Sequence, residues 1–200
     1  MKLGLIADIH EHFEELQKCL ERLEAEGVDR IVMLGDVFEL GHRIGSTCEL
    51  LANAKAGGVW GNHDFGLCVG DADEVRPQYG DVIVDYMRSL TSELVIDDCY
   101  FAHIEPWLDP SKLEDLWFFE GIPQTPERRQ QIFSSKPQRI FFAGHYNRWM
   151  LVSPERTESW DGTEPICLDD GRYFVVLNAL VHGSFVTYDT VTSWLTTFRV

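Results

Sequence analysis

The residues best able to do chemistry occur singly or in short groups, each just after an apolar run. Residues 3–7 lead into Asp8, Ile9 and His10, and residues 31–34 lead into Gly35-Asp36. Val59-Trp60 precedes Gly61-Asn62-His63-Asp64, residues 99–102 precede His103, and residues 140–143 precede Gly144-His145-Tyr146-Asn147. These groups are carboxylates, imidazoles and amides, with no thiol among them. Such a set argues against a closed structural zinc site and suits borderline or hard divalent ions such as manganese, iron or zinc. There are enough donors for two ions about 4 Å apart sharing one carboxylate, the arrangement that clamps a phosphoryl group.

Secondary structure must bring the groups together. A short apolar run stopping at a polar residue reads as a buried strand whose loop turns toward a site. Phe13, Leu16, Leu20 and Leu23 recur at helical spacing before Gly27, which predicts a helix over 13–26. Strand, ligand loop, helix and the strand at 31–34 make a βαβ unit with its two strands parallel. A looser unit follows, through the loop 37–45 and a helix near 46–55 to the strand Val59-Trp60. Residues 65–80 read as an acidic loop, and a helix is predicted from Asp81. Asp97-Asp98 reads as the hairpin turn between strands at 94–96 and 99–102. Residues 105–137, with a helix at 126–134, form an insertion that is a candidate cap over the site. The remainder is β-rich, at 149–152, 173–177, 184–188 and 193–200. The whole, residues 1–200, reads as one α/β domain of two stacked sheets with helices outside.

Composition narrows the classes. The 200 residues, 44% apolar and 25% charged, suit one globular domain able to bury a core without staples. No apolar run approaches the roughly 18 residues of a membrane span, and residues 3–7 are too short for a signal-peptide core. Cys19, Cys48, Cys68, Cys99 and Cys167 are scattered without CxxC spacing, as expected of reduced packing thiols in a cytoplasmic protein. Seventeen basic against 33 acidic side chains give a net charge of −16, which disfavours nucleic acid as a partner. A small phosphorylated substrate stays open, since divalent cations can reverse the local potential.

Asp8-x-His10, Gly35-Asp36, Gly61-Asn62-His63-Asp64, His103 and Gly144-His145-x-Asn147 together resemble, in order, the motifs of the calcineurin-like metallophosphoesterases. The compact length is similar to that of the small prokaryotic phosphodiesterases among them. The resemblance implies a four-layer α-β-β-α sandwich of two mixed sheets. It also implies two divalent metal ions, manganese first, with iron, nickel, zinc or magnesium as alternatives. Asp8 and His10 would hold the first ion, Asp36 would bridge, and Asn62, His103 and His145 would hold the second. His63 would be the general acid or cationic stabiliser, with Asp64 orienting its imidazole. A hydroxide between the ions would attack phosphorus in line. The implied activity is phosphodiester hydrolysis. Phosphomonoester, protein or dinucleoside polyphosphate hydrolysis is the enzymatic alternative, and a non-catalytic scaffold is the rival of another class.

Two positions depart from the family pattern. Asn147 replaces the final histidine of Gly-His-x-His, so the first ion should be held more loosely, or Asn147 is simply a turn residue. His12 and His182 are candidates to compensate. Glu11 replaces a glycine common after the first histidine, and either crowds the metals or points outward at the helix start. Arg43 and Arg148 are read as ordinary loop arginines, and His12 and His42 as surface residues. Trp117, Phe118 and Phe119 are read as packing for the insertion, and Asn178 as a distant candidate for the far side of the site.

Overall fold

The computed structural model describes residues 1–200. The chain begins with β1 (Lys2–Ile6), α1 (Phe13–Ala25), β2 (Arg30–Leu34), α2 (Ile44–Asn53) and β3 (Gly57–Val59). The three strands are parallel, as the βαβ reading required. β1 is apolar throughout because both its faces are covered. Leu3 and Leu5 enter a core shared with Phe101, Phe142 and Val175, while Ile6 packs with Leu16, Cys19 and Leu23 of α1. Gly4 lets that helix approach closely, since a Cβ there would stand 2.8 Å from Leu23 Cδ2.

Residues 65–80 are not a loop. They fold into α3 (Phe65–Cys68) and α4 (Ala72–Tyr79), and α5 (Asp81–Met87) follows. The Asp71 side chain caps α4 by accepting the Asp73 N–H. α4 buries no side chain fully, and its inward stripe of Ala72, Val75, Arg76 and Tyr79 is only half-buried, with Val75 and Tyr79 its sole large apolar members, so the helical period is weak in the sequence. The hairpin β4 (Glu93–Ile96) and β5 (Cys99–Ala102) turns at Asp97, where φ is 52°. Then come α6 (Leu113–Leu116), α7 (Pro126–Ser135), β6 (Ile140–Ala143) and β7 (Met150–Val152). A two-residue strand that the sequence reading missed, β8 (Ile166–Cys167), precedes β9 (Tyr173–Val176), β10 (Ser184–Asp189) and β11 (Trp194–Arg199).

One sheet has the order β3-β2-β1-β10-β11-β8, the other β4-β5-β6-β9-β7. Both are mixed. α1, α2 and α5 cover the outer face of the first, and Ile132 and Phe133 of α7 pack on Tyr100, Phe141 and Phe174 of the second. The result is the expected four-layer arrangement, helices–sheet–sheet–helix. β1, β2 and β3 end at one edge of the first sheet, and the parallel pair β5 and β6 ends at the facing edge of the second. No helix is long and apolar enough to cross a membrane.

Candidate metal centre

Past its last strand residue the β1 chain stays tied to the loop after β2. Asp8 N–H donates to Gly35 O at 3.1 Å and His10 N–H to Asp36 O at 2.9 Å. Asp8, His10, Glu11 and Asp36 take positive φ of 51°, 45°, 59° and 55°, and His145 and Asn147 take 68° and 52°. Six of the nine non-glycine residues in that conformation thus belong to these loops, the clustering expected where backbone strain serves a site. The neighbouring glycines have two different reasons. Gly35, at φ 90°, makes a turn that a side chain would strain. Gly61 and Gly144 instead permit close approach: a Cβ on Gly61 would run into the Asp36 carboxylate, and one on Gly144 would lie 2.7 Å from Asp8 Oδ2.

The expected donors converge on Asp36. Its Oδ2 lies 3.7 Å from His10 Nε2 and 3.3 Å from His103 Nε2. His10, Asp36 and His63 form one group whose ligand atoms all fall within 4.8 Å, and Asp8, Asp36 and His103 form another. Asn62 Oδ1 is 2.9 Å from His103 Nε2 and 3.1 Å from His145 Nδ1. Separations of about 3.0–3.4 Å are those of donors surrounding one cation at about 2.1 Å. Two backbone carbonyls set the rings. Leu34 O accepts from His103 Nδ1 at 2.6 Å, and Phe118 O accepts from His145 Nε2 at 3.2 Å, which leaves His103 Nε2 and His145 Nδ1 facing the centre.

Charge and lone pairs make the same case for cations. Asp8, Asp36 and Asp64 are buried within one small region, an arrangement that costs stability unless opposite charge is near. Burial pushes Asp8 up to about 7. Burial also opposes ionisation of Asp36, yet the adjacent His103 imidazole holds it down at about 2. For His103, burial disfavours the charge but Asp36 raises it to about 9, so one imidazolium faces three carboxylates. His145 is lowered to about 4 by burial and by His103, and His10 is lowered by burial. Neutral His145, donating its Nε2–H to Phe118, turns the Nδ1 lone pair onto Asn62 Oδ1, a contact that a cation between them makes favourable. His10 Nδ1 is buried with no hydrogen-bond partner. The residues fit a divalent metal pair.

Some expected positions turn out differently. Asp64 does not hydrogen-bond the His63 imidazole. Its Oδ1 accepts the N–H groups of Val37 and Phe38, each at 2.9 Å, and its Oδ2 accepts that of Gly61 at 2.9 Å. It therefore locks the second and third loops together. His63 donates its backbone N–H to Asp36 Oδ1 at 3.1 Å, and its ring stands between those of His10 and Trp117, 4.8 and 5.5 Å away. Asn147 stays outside the cluster: it is exposed, with only a 3.5 Å contact to His145 O, and lines a shallow cavity with His10, His12, Glu39, Val181 and His182. His182 bonds Asn178 instead of compensating.

Glu11 neither crowds the metals nor points outward. Its carboxylate accepts the N–H groups of Glu39, Gly41 and Arg43 at 3.0, 2.6 and 2.7 Å. Burial opposes its ionisation, but these donors hold its carboxyl below the ordinary range. Glu11→Ala is expected to loosen residues 37–43 and destabilise the protein by about 2 kcal/mol in urea unfolding, with Glu11→Gln recovering part of the loss.

Three contributors escaped the sequence reading. The carbonyls of Leu34 and Phe118 leave no side-chain signal. Glu105, 1% exposed, accepts from Arg128 Nε and Nη2 at 2.7 and 2.9 Å, from Trp107 Nε1 at 2.7 Å and from the Tyr146 hydroxyl. It thereby ties the 105–137 segment to the residue beside His145. A glutamate between Ile104 and Pro106 was the only hint.

Comparison with known proteins follows the same lines. The uncharacterized protein MJ0912 of Methanocaldococcus jannaschii is 25% identical over 168 residues, 84% of this chain and 56% of that protein. The phosphodiesterase MJ0936 of the same organism is 27% identical over 119 residues, 60% of this chain and 57% of that protein. The chain thus spans a little over half the length of each. A solved metallophosphoesterase from Sphaerobacter thermophilus shares the fold with a TM-score of 0.78 at 20% identity, covering 100% of this chain and 88% of its own. The calcineurin-like phosphoesterase family model matches residues 1–183, and the chain belongs to that family.

Proposed function

We propose that the protein is a dinuclear metal-dependent phosphodiesterase. One observation carries the reading: the Asp36 carboxylate is shared by two groups of potential ligands, one with His10 and His63 and the other with Asp8 and His103. In this reading Asp8, His10 and Asp36 hold one ion. Asn147 stands at its open edge, on the same side as His10. Asp36, Asn62, His103 and His145 hold the other. Mixed carboxylate, imidazole and amide donors favour manganese, with iron, nickel, zinc or magnesium as alternatives. Bound there, two divalent cations supply neutralisation of the phosphoryl oxygens and acidification of a water at neutral pH.

The chain's own groups do the rest. The strained loops hold the donors before substrate arrives, so little reorganisation accompanies the reaction. His63 makes no side-chain hydrogen bond and has no structural partner to satisfy, which leaves its imidazole free to give a proton to the departing oxygen. A diester is favoured over a monoester because no arginine cluster awaits the second negative charge. Arg43 is engaged by Glu14 and Arg128 by Glu105, leaving only Arg148 on the loop after Asn147. The name of the M. jannaschii phosphodiesterase supports the same choice.

The test is hydrolysis of bis-p-nitrophenyl phosphate by metal-stripped protein resupplied with Mn2+, Ni2+, Fe2+ or Zn2+. Turnover is expected to be fastest with Mn2+, and His63→Ala should lower kcat about 10²-fold while leaving metal affinity intact. Absence of turnover with every ion would overturn the reading and leave an interaction scaffold of the same fold.

A further inference from the structure

The segment between β5 and β6 passes over the metal centre at Trp117-Phe118-Phe119, directly after α6. The middle residue turns inward. The Phe118 ring packs edge-on against Trp107 at 5.3 Å and lies 4.7 Å beneath the Arg128 guanidinium, while its carbonyl accepts from His145. Its two neighbours turn outward, against the expectation that all three pack the insertion. Trp117 and Phe119 are each 56% exposed. The Trp117 ring is 5.5 Å from that of His63, and the Phe119 ring is 6.2 Å from His145 and 5.2 Å from Tyr146.

Large aromatic side chains are normally the core's main apolar contribution, and leaving two in water forgoes that gain. Here they cannot fold back, because the backbone between them is pinned at Phe118 and the segment behind is held by the buried Glu105–Arg128 pair. They flank the centre on two sides, Trp117 beside the proposed proton donor and Phe119 beside a proposed metal ligand. A phosphodiester seated on that centre has two organic substituents, and the two rings offer exposed aromatic surface beside it.

We propose that Trp117 and Phe119 are specificity-determining residues, forming an aromatic subsite that stacks on a planar substituent of the diester such as a nucleobase. The proposal rests on the phosphodiesterase reading and adds the substrate class. Stacking on a neutral ring also suits a site on a chain of net charge −16, which repels a long phosphate backbone far more than the one or two charges of a mononucleotide or dinucleotide ester.

The test compares AMP with ribose 5-phosphate, which differ only by the base, in titration calorimetry on the full chain with Mn2+. AMP is expected to bind about tenfold tighter. Trp117→Ala should bring AMP to the ribose 5-phosphate level, Phe119→Ala should move it in the same direction by less, and Trp117→Phe should keep most of the preference. Ribose 5-phosphate affinity reports whether the centre itself is disturbed. Equal affinity of the wild-type protein for the two ligands, or a preference for AMP that survives both alanine variants, would overturn the subsite. Failure of the phosphodiesterase reading shows separately, as absence of bis-p-nitrophenyl phosphate turnover.

Discussion

Asparagine in place of Asp36 is expected to reduce diester hydrolysis by about 10³-fold or more, because the one carboxylate common to both ligand groups is gone. The same change should destabilise the metal-free protein, by about 3 kcal/mol, since it leaves His103 buried without its partner. Asp8→Asn should also remove activity but should move stability the other way. Burial raises Asp8 to about 7, so its charge is disfavoured in the fold. That cost is absent below the unfolded carboxylate value near 3.8, grows as pH rises, and is complete above about 7. At pH 8 the neutral amide should therefore stabilise the metal-free protein, by as much as about 4 kcal/mol. Both positions are left-handed, which asparagine tolerates, so backbone strain does not confuse the comparison. Urea midpoints of the chelator-treated variants at pH 8 check the two signs, and equal shifts in one direction would sink the charge assignment.

Cation affinity should fall steeply on acidification. His103, held protonated up to about 9 against the opposing effect of burial, and Asp8, held protonated up to about 7 by burial, must each lose a proton before offering a lone pair. His145, lowered to about 4, and Asp36, lowered to about 2, are already unprotonated near neutrality. One proton is then released per loading between pH 7 and 9, and two below pH 7. The apparent Kd for Mn2+ should worsen about tenfold from pH 8 to 7 and about a hundredfold from 7 to 6, roughly 10³-fold in all. Titration calorimetry at the three pH values, repeated in buffers of different ionisation enthalpy, measures both slope and proton count. A flat profile would mean that His103 and Asp8 are not ligands.

The donors were legible because each follows a run that is apolar for a plain reason. β1, β2, β5 and β6 are covered on both faces, so their polar residues can appear only where the strands end. The βαβ pattern then makes β1 and β2 parallel, which by itself puts Asp8, His10 and Asp36 at one edge. α4 was illegible because its inward face is half-buried and carries only Val75 and Tyr79 as large apolar residues, too few to mark a period. Asn147 could be read from its motif as a ligand, yet it is exposed, with only a 3.5 Å contact to His145 O.

Residue type and strand-end placement, which are local properties of the chain, determined that carboxylates, imidazoles and an amide would gather at one edge. Where Glu11, Asp64, Glu105 and the Phe118 carbonyl point was decided only by tertiary structure. Apart from the near contacts at Gly61 and Trp107, their partners are backbone N–H groups, side chains and a ring nitrogen 23 to 41 residues away, from Arg128 to Tyr146. No spacing rule relates residues so far apart, since what satisfies a buried donor or acceptor is whichever group packing brings within about 3 Å.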